Sequence, residues 1–237
     1  MFKNRAKGFI NEAEKMDVFN SINVFTFDDL DVNYKNNHRE FIYSNPRGFG
    51  YWIWKPQIVL QQLELIQEND ILVYMDVGFE LNHTGRYRFL EYVQLTLAHK
   101  YKMLSFSNTH TEYRWNKMDL ALRLEIQANS SLLFTSQLAA GFFMFQKNLQ
   151  NIDLLSQWAG LAVADNYHYS DDSASLVANH PMFIEHRHDA SIFSLLRKLR
   201  GTEVTHYEVQ RYTHFDNVKT LLPAWALRKG RNSKLDY

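Results

Sequence analysis

The chain has no cysteine among its 237 residues, which excludes disulfides and thiolate metal sites and suits a reducing compartment. Proline and glycine are scarce, at 4 and 9 residues, so turn punctuation is thin and no Gly/Ser linker divides the chain. Excess charge is lacking too: 26 Lys and Arg against 26 Asp and Glu leave a formal net charge of +0. Without a positive field over the surface, nucleic acid is not an expected partner. No run approaches the ~18 consecutive apolar residues that span a bilayer, and no apolar signal segment opens the sequence. The expected location is cytoplasmic. Internal repeats and low-complexity tracts are also missing.

What is present is a large apolar share, 46%, and many aromatic rings, 15%. That is enough to build the core of one domain, and residues 1–237 are read as a single unit. Aromatics pack cores well, and they also serve as platforms for the C–H faces of sugars.

Hydrophobic spacing predicts an α/β chain. Phe2, Ala6, Phe9, Ile10 and Ala13 recur at helical intervals. Ile22–Phe27 is rich in β-branched and aromatic residues and predicts a short strand. Asn45-Pro46-Arg47-Gly48-Phe49-Gly50 is loop chemistry. Pro56 then suits the first turn of a helix carrying Val59, Leu60, Leu63 and Ile66 on one face. Ile71–Met75 is a continuous apolar run, which predicts a buried, parallel strand ending at Asp76-Val77-Gly78. Further elements are expected at 87–97 (helix), 103–106 (strand), 120–126 (helix capped by Asp119), 140–145 (strand) and 152–163 (helix). A last helix follows Asp189, with Asp189 as its cap.

A carboxylate at the end of a buried strand is where α/β folds place ligands. Asp76 is thus a candidate for a ribose hydroxyl or for Mn²⁺ or Mg²⁺, with Gly78 permitting close approach of the backbone. An ordinary strand-ending turn is the plainer alternative. Arg47 and Lys55 flank the loop before the preceding helix. They read either as cations for a diphosphate or as solvated charges with their stems packed on Trp52 or Trp54. His186-Arg187-His188-Asp189 is dense in titratable groups: Asp189 is a candidate catalytic base or acceptor-hydroxyl ligand, with His188 or His186 as metal ligand or phosphate partner, or Asp189 is only a helix cap beside exposed histidines. Asp171-Asp172 is a metal pair or, more simply, a solvated turn.

These blocks resemble a family of bacterial glycosyltransferase-like proteins associated with surface polysaccharide, within the nucleotide-diphospho-sugar transferase (GT-A) superfamily. The matching segments are Arg47 through Pro56, Asp70 through Gly78 and Gly85 through Tyr92, then Glu112, Trp115, Lys117 and Asp119, where Asp119 reads as a helix cap or as a site residue of the family. They continue with Gln137 through Lys147, around Ala140-Gly141-Phe142, and Phe183 through Ser194. The resemblance implies a mixed, mostly parallel sheet flanked by helices. It also implies a hexosyltransferase-like enzyme that takes a nucleotide-sugar donor and a glycan or lipid-linked glycan acceptor. It places Lys55, Asp76 and Gly141 at the donor, with Asp76 where the metal- and ribose-binding Asp-x-Asp usually lies, and Asp189 where a catalytic or acceptor-binding carboxylate is often found; Arg47 and Gly78 join the donor candidates, and His188 the catalytic ones, from the residues themselves.

Three departures from that pattern stand out. Gly78 replaces the second Asp of the usual Asp-x-Asp motif, Ala190 stands where Gln is expected, and the first strand of such a domain has no counterpart upstream of Phe2. An inactive nucleotide- or sugar-binding relic of the same fold is the alternative expectation. Arg228, Lys229, Arg231 and Lys234 make the tail at 228–237 basic, which reads as a solvated end or as a peripheral contact with anionic lipid.

Overall fold

The computed structural model describes residues 2–209 and 215–226; the basic tail lies outside them. Ten helices and six strands follow one another in these segments. They are α1 (Phe2–Met16), α2 (Val32–Ser44), a helical turn α3 (Gly48–Tyr51), α4 (Trp54–Leu65), β1 (Ile71–Met75), β2 (Phe79–Leu81), α5 (Arg86–Ala98) and β3 (Met103–Thr111). Then come α6 (Glu112–Trp115), α7 (Met118–Arg123), β4 (Ser136–Gln146), α8 (Leu149–Tyr167), α9 (Asp189–Arg200), β5 (Glu203–His206), α10 (Phe215–Val218) and β6 (Ala224–Ala226). Among the described residues no helix is long and apolar enough to cross a membrane.

The main sheet has four strands in the order β1-β4-β3-β5, and β2 pairs with β6 in a small second sheet. The protein is mixed α/β, a mixed sheet flanked by helices. The sheet is mixed as expected but not mostly parallel. β1 runs antiparallel to β4, β3 runs antiparallel to β4, and only β3 and β5 are parallel.

Helices on both faces explain why periodicity could not settle strand direction. β4 alternates Phe142 and Met144 toward one apolar layer with Phe143 and Phe145 toward the other. Ala13, Met16, Phe89 and Tyr92 of α1 and α5 close the first layer. Leu63, Leu154, Trp158 and Phe193 of α4, α8 and α9 close the second. A strand covered on both sides reads as an unbroken apolar run whichever way its neighbour points. Trp158 stacks on Phe193 with centroids 3.9 Å apart and planes 4° apart. Each such ring contributes about 1.5–3 kcal/mol by its burial alone.

Residues 22–27 do not form the expected strand. Asn23 instead donates to Gln62 of α4 at 3.2 Å. Thr26 and Asp29 then cap each other around a short 3-10 turn, Phe27–Asp29. Local capping and contact with the helix satisfy polar groups that a sheet neighbour would otherwise serve.

Two expected helix caps are also corrected. Lys117, without a side-chain cap bond, holds the cap position of α7. The Asp119 carboxylate instead accepts from Leu176 N, Val177 N and His168 Nε2. His188 holds the cap position of α9, again without a side-chain cap bond. This frees the Asp189 carboxylate for another partner.

Candidate functional site

Antiparallel pairing of β1 with β4 sets Met75 opposite Phe142. The next residue, Asp76, therefore faces Gly141, and its N–H donates to the Gly141 carbonyl at 2.8 Å. Phe79 N closes the following turn on Asp76 O at 2.9 Å. Alternation along the strand puts Tyr74 and Asp76 on the same side, and the Tyr74 hydroxyl donates to Asp76 Oδ1 at 2.8 Å.

Lys55 enters from the first turn of α4. It is 2% exposed, yet its ammonium is well furnished. Nζ lies 2.6 Å from Asp189 Oδ2 and 3.4 Å from Asp76 Oδ1, donates to Ala140 O at 3.3 Å, and sits 5.4 Å from the centre of the Tyr74 ring. These contacts join α4, β1, β4 and α9 at one point, and bring together Lys55, Asp76, Gly141 and Asp189.

Burial works against charge on Lys55, Asp189 and Tyr74. For Lys55 burial pulls the pKa down, but Asp189 and Asp76 outweigh it and hold the amine above its ordinary value. For Asp189 burial is the larger influence and raises the pKa. Lys55 opposes that rise, while the like charge of Asp76 adds to it. Burial, with Asp76 beside it, also raises the Tyr74 hydroxyl well above its usual range, so it remains a donor. The Asp76 side chain keeps 39% exposure and is the member that can meet a ligand from solution.

Gly141 is required by space. A Cβ there would stand 2.8 Å from Asp76 Oδ2 and 3.0 Å from Phe79 Cε2. Gly141→Ala is expected to push the Asp76 carboxylate out of reach of Lys55 while the rest of the sheet is kept. Its loss of one charge-assisted contact predicts a ten- to hundredfold fall in ligand affinity, on the order of 1.5–3 kcal/mol. Calorimetric titration beside an unchanged far-UV spectrum checks it. Gly78, by contrast, is exposed and has open space where a Cβ would be.

Arg47 lies in a second group. Its guanidinium reaches Asp172 at 3.3 Å and Glu185 at 3.1 Å, so the structure separates it from Lys55. Asp171 and Asp172 part company as well: Asp171 accepts from Lys117 at 3.0 Å while Asp172 faces Arg47. His188 is 2% exposed and lies against the rings of Tyr51 and Trp52, at 4.8 and 5.6 Å. Its Nδ1–H donates to Ser170 O at 2.7 Å, which leaves the Nε2 lone pair without a hydrogen bond, 3.8 Å from Asp172 Oδ1. Burial lowers the pKa of His188. His186 is a buried structural residue, with Nε2–H donating to Tyr169 O and Nδ1 accepting from Lys117 N.

Among the described residues no group of three or more carboxylate or imidazole side chains is arranged to hold a metal ion. Asp76 alone fits the lesser role of one carboxylate that binds Mg²⁺ or Mn²⁺ together with substrate phosphate oxygens. A hollow of about 130 Å³ between Phe25, Phe27, Leu30, Phe49 and Trp54 borders α3 rather than Asp76.

Tyr74 is the site residue that sequence reasoning missed; its place two residues before Asp76 on a strand was the available signal. No protein-family model matches the sequence, and comparison with curated proteins finds no match.

Proposed function

We propose that the chain is a glycosyltransferase of the GT-A type that moves a sugar from a nucleoside-diphosphate donor to a hydroxyl of a glycan. The observation that carries this reading is the Lys55 ammonium, buried between Asp76 and Asp189 where β1 ends beside Gly141. Departure of a nucleoside diphosphate builds negative charge, and a preorganised cation in a water-poor setting stabilises it. Asp76 is the half-exposed group that meets the donor's ribose or its metal ion. Gly141 leaves room beside it.

In the transfer, the acceptor oxygen bonds to the anomeric carbon as the bond to the diphosphate breaks, and the acceptor proton passes to a base. His188 Nε2 and Asp189 are the two groups placed for that proton. Burial raises the basicity of Asp189 against the opposing pull of Lys55, and the His188 Nε2 lone pair is free of a hydrogen bond.

The second reading, a non-catalytic sugar- or nucleotide-binding protein, draws on the same salt bridge, since Lys55 engages both carboxylates. Calorimetry with a panel of nucleotide sugars, with and without Mn²⁺, separates the two when run beside a transfer assay. The transferase reading expects binding and turnover, with Asp76→Asn abolishing transfer in a folded protein. Binding without turnover supports the second reading, and full transfer by Asp76→Asn removes the site assignment.

A further inference from the structure

The backbone around His188 is unusual in a connected way. Gly48, Phe49, Gly50, Tyr51 and Trp52 all have positive φ, from 52° to 81°. They form a single left-handed turn closed by Tyr51 N→Arg47 O at 2.8 Å and Trp52 N→Gly48 O at 3.2 Å. Asp165, Asn166 and Tyr167 form a second left-handed stretch, and His188 itself has φ 54°. Successive left-handed residues with side chains are disfavoured, so the surroundings must hold them. Phe41 joins the two turns, stacked on Tyr167 at 3.6 Å and 6.0 Å from Tyr51. Gly50 lets the first turn close against α2, since a Cβ there would lie 2.8 Å from Ile42.

The product of this arrangement is an imidazole whose faces lie along Tyr51 and Trp52 and whose Nε2 edge points at Asp172. That nitrogen is buried and makes no hydrogen bond, although an orphaned buried polar atom is costly. The 3.8 Å to Asp172 Oδ1 is too long for a hydrogen bond. It sets the two acceptors close enough for adjacent ligand hydroxyls, one about 2.8 Å from each.

The chemistry of the ligand follows from the donors and acceptors. Nε2 and the Asp172 carboxylate are both acceptors, so the ligand must bring two protons. Arg47 and Arg187 together balance Asp172 and Glu185, and Arg47 keeps further N–H groups to give. An anionic ligand would meet two carboxylates and a lone pair, and an ammonium would meet the Arg47 guanidinium. A neutral pair of adjacent hydroxyls meets neither objection: each donates to one acceptor and can receive from Arg47. Aromatic rings at its side provide the surface that sugar C–H groups cover.

We infer that Arg47, Tyr51, Trp52, Asp172 and His188 form a subsite for a neutral vicinal diol of a sugar, the acceptor side of the site built around Lys55. This rests on the transferase reading for its role but not for its existence. Both groups hang on the same two segments: Arg47 to Lys55, and His188 with Asp189. A sugar hydroxyl held at Nε2 would lie beside the salt-bridged Asp189.

The test uses the full chain with ¹⁵N-labelled histidine. Methyl glucoside, methyl galactoside and methyl mannoside are titrated while the His188 Nε2 resonance is followed, with inorganic phosphate and methylammonium as controls. At least one glycoside is expected to move that resonance, and neither control is. Asp172→Asn is chosen because the Asp172 side chain is 43% exposed and its replacement spares the core. It is expected to weaken the glycoside by about tenfold, the loss of one hydrogen bond to a charged group. No response to any glycoside, a stronger response to phosphate, or equal affinity in Asp172→Asn overturns the subsite. Uridine diphosphate titrated in parallel keeps the two ideas apart. Nucleotide binding without a glycoside response removes the subsite alone, while a glycoside response without nucleotide binding removes the transferase reading and leaves the subsite standing.

Discussion

Lys55→Met is expected to destabilise the protein by about 3–5 kcal/mol, because it leaves the Asp189 carboxylate buried without its cation. Asp189 is 6% exposed and its close partner is Lys55 Nζ at 2.6 Å. The ion pair need not itself be a large source of stability, since removing both charges together removes both desolvation penalties. The double variant Lys55→Met/Asp189→Leu is therefore expected to unfold at a higher urea concentration than the Lys55→Met single variant. A double-mutant cycle from urea midpoints reads the coupling directly. If Lys55→Met is as stable as the parent, the amine is not held by Asp189 as described. Ligand binding is expected to be lost in both variants, which separates the functional need for the cation from its structural cost.

Acidification is expected to remove stability steeply, beginning near pH 6.5 and continuing toward pH 3. Burial holds the His186 pKa down at about 3 against an ordinary 6.5. Below pH 6.5 the unfolded chain takes up a proton that the folded chain refuses, so the unfolded state gains. The loss is about 1.4 kcal/mol per pH unit for one such imidazole. His188, also lowered by burial, adds to it in the same direction. Asp189 works the other way, because its raised pKa lets the folded state bind a proton first as the pH falls. The geometry explains the refusal by His186: its Nδ1 already accepts from Lys117 N, so a proton there would face another N–H. Urea midpoints measured from pH 7 to pH 4 for the parent and His186→Gln check the slope, which should be shallower in the variant. A flat parent profile would show that His186 is protonated as easily in the fold as out of it.

Much of this architecture was legible because burial leaves marks on spacing. α1 and α4 follow from apolar positions at helical intervals, and β1 and β4 from short runs bounded by polar residues. Strand direction was not legible. Ile71 to Met75 read as parallel and proved antiparallel, since coverage of both sheet faces erases the alternation that would have distinguished them. Asp119 and Asp189 each read as a cap because an acid before an apolar helix is the commonest local solution. Both carboxylates went to partners distant in the chain, His168 with two backbone amides in one case and Lys55 in the other.

The candidate site shows the same division. Lys55, Asp76, Gly141 and Asp189 were each visible as residue types in suggestive places, and the fold converges them. Arg47 was grouped with Lys55 by closeness in sequence. The left-handed turn between them sends Arg47 to Asp172 and Glu185 instead, and nothing in local composition beyond Gly48 and Gly50 announces that reversal.

β1 is bonded to the main sheet on one side only, through β4, and that makes it the outermost strand at its end of the sheet. Asp76 rides on this strand, while Lys55, Gly141 and Asp189 are carried by α4, β4 and α9. Peeling of a single border strand can happen well short of global unfolding. Such a local excursion would carry Asp76 away from Gly141 and Lys55 and scatter the constellation, while the helices and the remaining three strands stayed assembled. The lifetime of the site is thus set by how firmly one short ribbon adheres, and can be briefer than the lifetime of the fold that supports it.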